Sequence, residues 1–147
     1  RFIQSARSTV GASGLMQLMP ATARWVARQL GRQDYGTHQI DDLKTNLEFG
    51  TFYLKRVLDN VDGSPLLASA GYNAGPGRAR TWRSTLERPL EGAIFAELIP
   101  FTETRNYVKH VLSNTVDYAA LASGQPQSLK RWLGQVAPAA NEAIAMP

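Results

Sequence analysis

GASGLMQLMPATA, residues 11–23, sets a glutamine among small and apolar residues and ends in a proline-led segment. Pro20 suits the first position of a helix, because its φ is preset and the N–H that it lacks would have no partner there. The pattern predicts a short apolar turn or helix over residues 14–19 and a helix from Pro20 to a stop at Gly31. Gln17 carries an amide among apolar neighbours, so it needs hydrogen-bonding partners or a ligand.

Helical spacing continues downstream of this stretch. No segment alternates apolar and polar residues for long enough to indicate a strand, so the fold class is predicted to be all-α. Three cap signals mark further helix starts: Asp41 or Asp42, Ser64-Pro65, and Thr102. The last of these predicts a long helix over residues 103–122 that stops before Gly124.

Two of these helices carry apolar rows that are expected to be buried. The rows are Leu43, Leu47, Leu54, Val57 and Val61 in one helix, and Tyr107, Val108, Val111, Leu112, Tyr118 and Leu121 in the other. Gly50 interrupts the first row. A glycine in a helix interior lowers the stability of the helix by roughly 1 kcal/mol, so it indicates either close approach by another helix or a local loss of stability without a function.

The domain organisation is predicted as one domain over residues 1–123 and a tail over residues 124–147. One short helix is expected at residues 128–133, followed by an alanine-rich stretch that is broken by Pro138 and loosely packed at its end. The chain opens at Arg1 with neither an initiator methionine nor a signal peptide, so its beginning is expected to be cut from something longer.

Composition excludes several classes of function. The 147 residues are 44% apolar, which suffices for one packed core, and no apolar run approaches the roughly 20 residues of a membrane span. Cysteine is absent, and His38 and His110 lie far apart without metal-ligand spacing, so neither metal nor cofactor chemistry is expected. A net charge of +4 without a basic stripe does not predict nucleic-acid binding, but it suits a negatively charged polymer such as a cell wall.

Two further segments place polar side chains beside glycine or at a helix start. AGYNAGPGR, residues 70–78, brings Tyr72 and Asn73 to a helix end that opens into a glycine loop, where they either reach a ligand or form a helix C-cap. IPFTETRNYV, residues 99–108, puts Glu103 in the first turn of the long helix, where the helix dipole stabilises a carboxylate whether or not it binds anything. Each segment alone leaves both interpretations open.

In their joint order the three segments resemble the soluble lytic transglycosylase family, over roughly residues 1–122. The resemblance implies an all-α, goose-type lysozyme-like domain with a glycan groove. It also implies cleavage of the β-1,4 bond between N-acetylmuramic acid and N-acetylglucosamine without water, giving a 1,6-anhydro product. One carboxyl group suffices for this chemistry: it protonates the glycosidic oxygen and then accepts the proton of the C6 hydroxyl that attacks C1.

The resemblance carries individual roles onto this chain. Ser8 matches a serine that hydrogen-bonds the substrate, Gln17 a groove amide and Met19 an apolar contact. Tyr72 matches a tyrosine that orients the acid or the substrate, Asn73 supports that turn, and Glu103 matches a carboxylate that binds glycan hydroxyl or amide groups.

The acid itself is expected outside this chain. In relatives it is the glutamate of a Glu-Ser pair that lies immediately before the segment matching Arg1 and Phe2. The remaining glutamates match no motif position: Glu48, Glu87, Glu91, Glu97 and Glu142.

The leading hypothesis is a monomeric lytic transglycosylase domain of the bacterial periplasm or cell envelope, whose partner is the peptidoglycan glycan strand. As given, the chain is expected to bind glycan without cleaving it. Two alternatives stay open: a hydrolytic goose-type lysozyme, and a non-catalytic peptidoglycan-binding module.

Overall fold

The structure, a computed structural model, describes residues 3–4, 6–139 and 146. Within these residues the chain forms seven α-helices, one 3₁₀-helix over Thr37–Asp41 and two short strands. The elements are α1 Pro20–Gln29, α2 Leu43–Asn60, α3 Pro65–Ala74, α4 Pro76–Ser84, β1 Leu90–Glu91, α5 Gly92–Leu98, α6 Thr102–Ser123, α7 Leu129–Leu133 and β2 Gln135–Val136. The strands pair antiparallel and are only two residues each, too short for an alternating pattern to reveal them.

The described residues divide into two compact units, one ending at Arg56 and the other beginning at Val57. Each unit has its own packing and is described by itself. None of the described helices is both long and apolar enough to cross a membrane.

In the first unit, the segment before α1 is a hydrogen-bonded loop. Ser13 pairs with both Arg7 and Leu18, so residues 14–19 form a turn rather than a helix. Pro20 occupies the first turn of α1 as the sequence predicts, and the helix ends at Gln29, two residues before the predicted stop at Gly31.

Asn46 ties this loop to α2 from a fully buried position. Its Oδ1 accepts from the Met16 N–H at 2.8 Å, and its Nδ2 donates to the carbonyls of Ser13 at 2.9 Å and Ile40 at 3.1 Å. Gly14, at φ +76°, lies directly against this amide, and a Cβ there would overlap it. The loop therefore requires glycine at this position both for its backbone angle and for space.

The predicted buried face of α2 is wrong for its three leucines. Leu43, Leu47 and Leu54 are each about 40% exposed, while Val57 and Val61 are fully buried as expected. The face that is buried comprises Asn46, Phe49, Gly50, Tyr53 and Val57. It contains an amide and a glycine, so a search for apolar residues alone selects the neighbouring row.

Two finer predictions about α2 have clear outcomes. Asp42 caps the helix, because its Oδ2 accepts from the Thr45 N–H at 2.9 Å, and this bond lowers the pKa of the Asp42 carboxyl. Gly50 marks a close approach as expected, but the group against it is the Met16 side chain from the loop rather than another helix.

The second unit is organised around α3, whose residues 66–71 are all buried. Ser64 caps it by accepting from the Leu67 N–H at 3.2 Å, and Pro65 occupies its first turn, as the sequence predicts. Helices α4, α6 and α7 contact α3, and α5 packs against α6 and α7.

The long helix α6 differs from its prediction at both ends. Thr102 is its first residue and Phe101 its N-cap position, without a side-chain cap. Val108 and Leu112 are buried, but Tyr118 is 62% and Leu121 80% exposed. Helix α6 has 22 residues and its neighbour α3 only 10, so α3 is too short to cover the C-terminal part of the apolar row of α6.

The described residues from 125 to 139 belong to the second unit and pack within it. Ser128 caps α7, which confirms the predicted short helix, and β2 pairs with β1. Arg83, only 6% exposed, donates to the carbonyls of Ala137 at 2.6 Å and Pro138 at 3.3 Å and to Asp62 at 2.6 Å. The domain boundary at residue 123 stays a prediction, and most of the alanine-rich end, residues 140–145, lies outside the described residues.

The Asn46 amide gives a stability prediction. Replacing Asn46→Ala leaves one buried N–H and two carbonyls without this partner, so the free energy of unfolding should fall by about 2–4 kcal/mol in urea titrations. Asn114→Ala, on an exposed position of α6, is the matched control and should change it by less than about 0.5 kcal/mol. Equal effects of the two variants would contradict the role given to Asn46.

Tyr53 gives a pH prediction. Burial raises the pKa of its phenol to about 12, against about 10 in an unfolded chain, so the folded state favours the protonated form. This contribution to stability is complete below about pH 10 and is lost as the pH rises toward 12. Unfolding titrations between about pH 9 and pH 11 should therefore show a steeper loss for the natural chain than for Tyr53→Phe; parallel curves would refute it.

Candidate functional site

The C-terminal end of α3 and the start of α6 are joined by one side-chain hydrogen bond. The buried Thr104 hydroxyl donates to Asn73 Oδ1 at 2.7 Å, which links the second and third sequence segments. Asn73 lies within α3, and Gly75, at φ +96°, takes the C-cap position that sequence analysis had offered to Asn73. The side chain of Asn73 is thus a brace between helices rather than a helix cap.

Tyr72 and Glu103 flank this bond. Tyr72 precedes Asn73 on α3 and is half-buried, and Glu103 precedes Thr104 in the first turn of α6 and is exposed. The helix dipole stabilises the Glu103 carboxylate at this position. A phenol, an amide and a carboxylate at the joined ends of two helices form a set of groups suited to hydroxyl and amide ligands.

An aromatic and cationic cluster adjoins these residues, and sequence analysis did not identify it as part of the site. The Trp82 and Phe101 rings meet edge to face with centroids 5.4 Å apart, and the Arg78 guanidinium lies 5.0 Å from the Phe101 ring centre. Arg78 and Trp82 are four residues apart on α4, so they share a helix face, and this spacing can be recognised from the sequence alone. Their partner Phe101 lies at the start of α6, and its contact with them cannot be recognised from sequence spacing.

In the first unit, Ser8, Gln17 and Met19 lie on the loop before α1. The Ser8 hydroxyl oxygen accepts from the Ala12 N–H at 2.9 Å, so it helps to close the loop. Met19 is 40% exposed at the N-cap position of α1.

Gln17 is the unusual residue of this loop, because its φ of +47° is uncommon for a residue with a side chain. Its Nε2 donates to the carbonyls of Gly14 at 2.7 Å and Ala6 at 3.2 Å, yet the residue remains exposed. The amide nitrogen is thus satisfied within the loop. Its Oε1 accepts no hydrogen bond from any described residue, so this acceptor can face a ligand.

None of the described glutamates has the surroundings of a general acid, which needs an apolar setting that keeps its carboxyl protonated. Glu48 pairs with Arg32 at 2.5 Å, Glu97 with Lys109 at 2.5 Å, and Glu91 lies 3.7 Å from Lys130. Glu87 and Glu103 are exposed, and Glu142 lies outside the described residues. Among the described residues, no group of three or more His, Cys, Asp or Glu side chains could hold a metal ion.

The helical fold and its cluster of hydroxyl, amide and carboxylate groups define a helical domain suited to polar ligands. A family model described as the transglycosylase SLT domain matches residues 1–91, and one for the soluble lytic transglycosylase helical domain matches residues 98–127. The chain belongs to the transglycosylase SLT domain family.

Curated relatives carry the same family name. The chain is 44% identical over 124 residues to a soluble lytic murein transglycosylase of Salmonella typhimurium, covering 84% of this chain and 19% of that protein. It is 41% identical over 121 residues to the soluble lytic murein transglycosylase of Escherichia coli K12, with 82% and 19% coverage. The chain therefore spans about a fifth of the length of these relatives.

Solved structures confirm the predicted all-α, lysozyme-like fold class. An inactive glutamate-to-glutamine mutant of lytic transglycosylase Slt from Pseudomonas aeruginosa matches with a TM-score of 0.78 and 44% identity, covering 87% of this chain and 20% of that one. The 70 kDa soluble lytic transglycosylase of Escherichia coli matches with a TM-score of 0.74 and 38% identity, covering 88% and 20%. A complex of the 70 kDa enzyme with bulgecin A matches at 0.76 and 38%, covering 84% and 20%.

The bond between Thr104 and Asn73 is testable by substitution. Thr104→Val keeps the shape but removes the donor, so the free energy of unfolding should fall by about 1 kcal/mol or slightly more. Thr104→Ser keeps the donor and is the matched control. In a double-mutant cycle with Asn73→Ala, the valine change should lose most of its cost, and full additivity would show that the two side chains do not interact.

Proposed function

We propose that this chain is the glycan-binding part of a peptidoglycan lytic transglycosylase domain, acting on the bond between N-acetylmuramic acid and N-acetylglucosamine. The observation that carries this proposal is the Thr104–Asn73 hydrogen bond. It joins the end of α3 to the start of α6, two segments that carry the family resemblance, in a chain that belongs to the SLT family. The printed names of the relatives, murein transglycosylases in both curated cases, support the same reaction class.

Each candidate residue has a role that its surroundings support. Tyr72 orients the acid or the substrate, and Asn73, fixed by Thr104, holds the turn that presents it. Glu103 is exposed and binds glycan hydroxyl or amide groups. In the first unit, Gln17 offers its side-chain oxygen to a sugar N–H or hydroxyl, Met19 an apolar contact and Ser8 the hydroxyl that shapes the loop.

The proton donor is a glutamate outside this sequence. The exposed or ion-paired state of the described glutamates supports this, and so does the inactivity of the glutamate-to-glutamine mutant of the Pseudomonas aeruginosa enzyme. The acid protonates the glycosidic oxygen as the C1–O bond breaks. Its carboxylate then takes the proton of the C6 hydroxyl while O6 bonds to C1, so no water is consumed and the 1,6-anhydro ring forms.

The setting follows from the substrate. Peptidoglycan lies in the bacterial cell envelope, so we place the protein in the periplasm or at the envelope, working as a monomer on glycan strands. A non-catalytic peptidoglycan-binding module is the second candidate, because no described glutamate has an apolar pocket.

One experiment distinguishes the lytic transglycosylase from the non-catalytic binding module. The 147-residue chain and a version extended upstream by its natural sequence are incubated with glycan strands, and products are identified by mass spectrometry. The extended protein should release 1,6-anhydro products, and changing its added glutamate to glutamine should lower the rate by on the order of 10²–10⁴. The chain alone should bind glycan and release none.

Other product patterns would contradict the proposal. Anhydro products from the chain alone would place the acid within these residues. Products heavier by one water would indicate a hydrolytic lysozyme, and an inert extended protein that still binds glycan would indicate a binding module.

A further inference from the structure

Arg78 stands out among the basic residues of the second unit. Helix α4 carries Arg78, Arg80 and Arg83 and no acidic residue. Arg80 donates to Asn60 at 2.9 Å, and Arg83 is buried against Asp62 and two carbonyls. Arg78 is exposed and forms no salt bridge with a described residue. It is therefore the α4 arginine whose charge is available to a ligand.

The Arg78 guanidinium is held in place from two sides. It lies over the Phe101 ring at 5.0 Å, and its Nη1 donates to the Ala74 carbonyl at 3.1 Å. Trp82 supports the other partner, since its ring meets Phe101 edge to face. An arginine fixed in this way loses little further side-chain freedom when it binds an anion, because its conformation is already restricted.

The position of this cluster connects it to the candidate glycan site. Ala74, which accepts from Arg78, follows Asn73, and Phe101 is two residues before Glu103. A ligand seated at Tyr72, Asn73 and Glu103 thus lies beside a fixed cation. The sugar rings and N-acetyl groups of the glycan are neutral, and the carboxylates of peptidoglycan belong mainly to the peptide stem.

We propose that Arg78 binds a carboxylate of the peptide stem carried by the glycan, with Phe101 and Trp82 as the platform that holds the guanidinium. This inference rests on the proposed function and names a specificity determinant for it. A guanidinium binds a carboxylate through two parallel N–H···O bonds, and a charge-assisted pair of this kind discriminates strongly against a neutral amide. Arg78 thereby selects strands that retain an acidic stem.

The test measures binding of two ligands to the 147-residue chain by calorimetry. One is a disaccharide with a peptide stem whose carboxylates are free, and the other is the same molecule with those carboxylates amidated. The natural chain should prefer the free acid by on the order of tenfold. Arg78→Ala should abolish the preference by weakening the free acid alone, and Arg78→Lys, which keeps the charge but not the fork, should retain part of it.

Arg88→Ala is the matched control, because Arg88 is an exposed arginine beyond the opposite end of α4. It should leave both affinities unchanged. Thermal unfolding of each variant checks that the fold is intact, and a neutral chitin oligosaccharide reports on the sugar site by itself.

The possible failures are distinguishable. If the natural chain binds none of the ligands, the proposed function fails and this inference with it. If it binds both stem ligands equally, or if Arg78→Ala keeps the preference, the inference fails and the proposed function stands. If Arg78→Ala weakens chitin oligosaccharide as much as the free acid, Arg78 holds the sugar site rather than the stem.

Discussion

A single buried amide, that of Asn46, holds the loop on which half of the candidate glycan contacts lie. Its three hydrogen bonds fix the backbone at Ser13, Met16 and Ile40. Because burial without partners would cost each of these groups a hydrogen bond, the loop and α2 stabilise each other. Gln17, at φ +47°, directly follows the Met16 N–H that this amide accepts from, and Met19 is the N-cap residue of α1 two positions later.

In the second unit, a hydrogen bond between two side chains fixes the backbone that carries the other candidate glycan contacts. Thr104 and Asn73 join two helix ends whose neighbouring residues are the half-buried Tyr72 and the exposed Glu103, the two side chains proposed to contact the glycan. In the second unit, the side chains proposed to touch the substrate, Tyr72 and Glu103, are therefore different from the pair that joins the two helices. Such a division allows contacts with a glycan to change without loss of the fold, since the bracing side chains are buried behind them.

Local chemistry explains what the sequence could predict. Pro20, Asp42 and Ser64 mark helix starts correctly, because a cap or a preset φ acts within one turn of the chain. The apolar rows of α2 and α6 were only partly right. Burial depends on which neighbour covers each turn, and neither the amide in the buried face of α2 nor the shortness of α3 beside α6 is visible in a hydrophobic pattern.

The candidate site, too, could be predicted only in part from the sequence. Its residues could be named from the family resemblance, and the structure supplies their surroundings, which the resemblance did not contain. The Arg78 cluster was missed because its aromatic partner Phe101 comes from a different helix start. Only the tertiary structure, in which α4 and α6 both contact α3, brings Phe101 to the Arg78 side chain, and no spacing along the chain encodes that arrangement.

The buried position of Arg83 also has a consequence for the order of events during synthesis. Its carbonyl partner at Ala137 is 54 residues further along the chain, and the β2 partner of Leu90 in β1, Val136, lies 46 residues after it. Helices α3 and α4 are complete long before these partners leave the ribosome. Until then Asp62 is the one of its three partners that is already synthesised, so residues 135–138 complete the surroundings of Arg83 and β1 last.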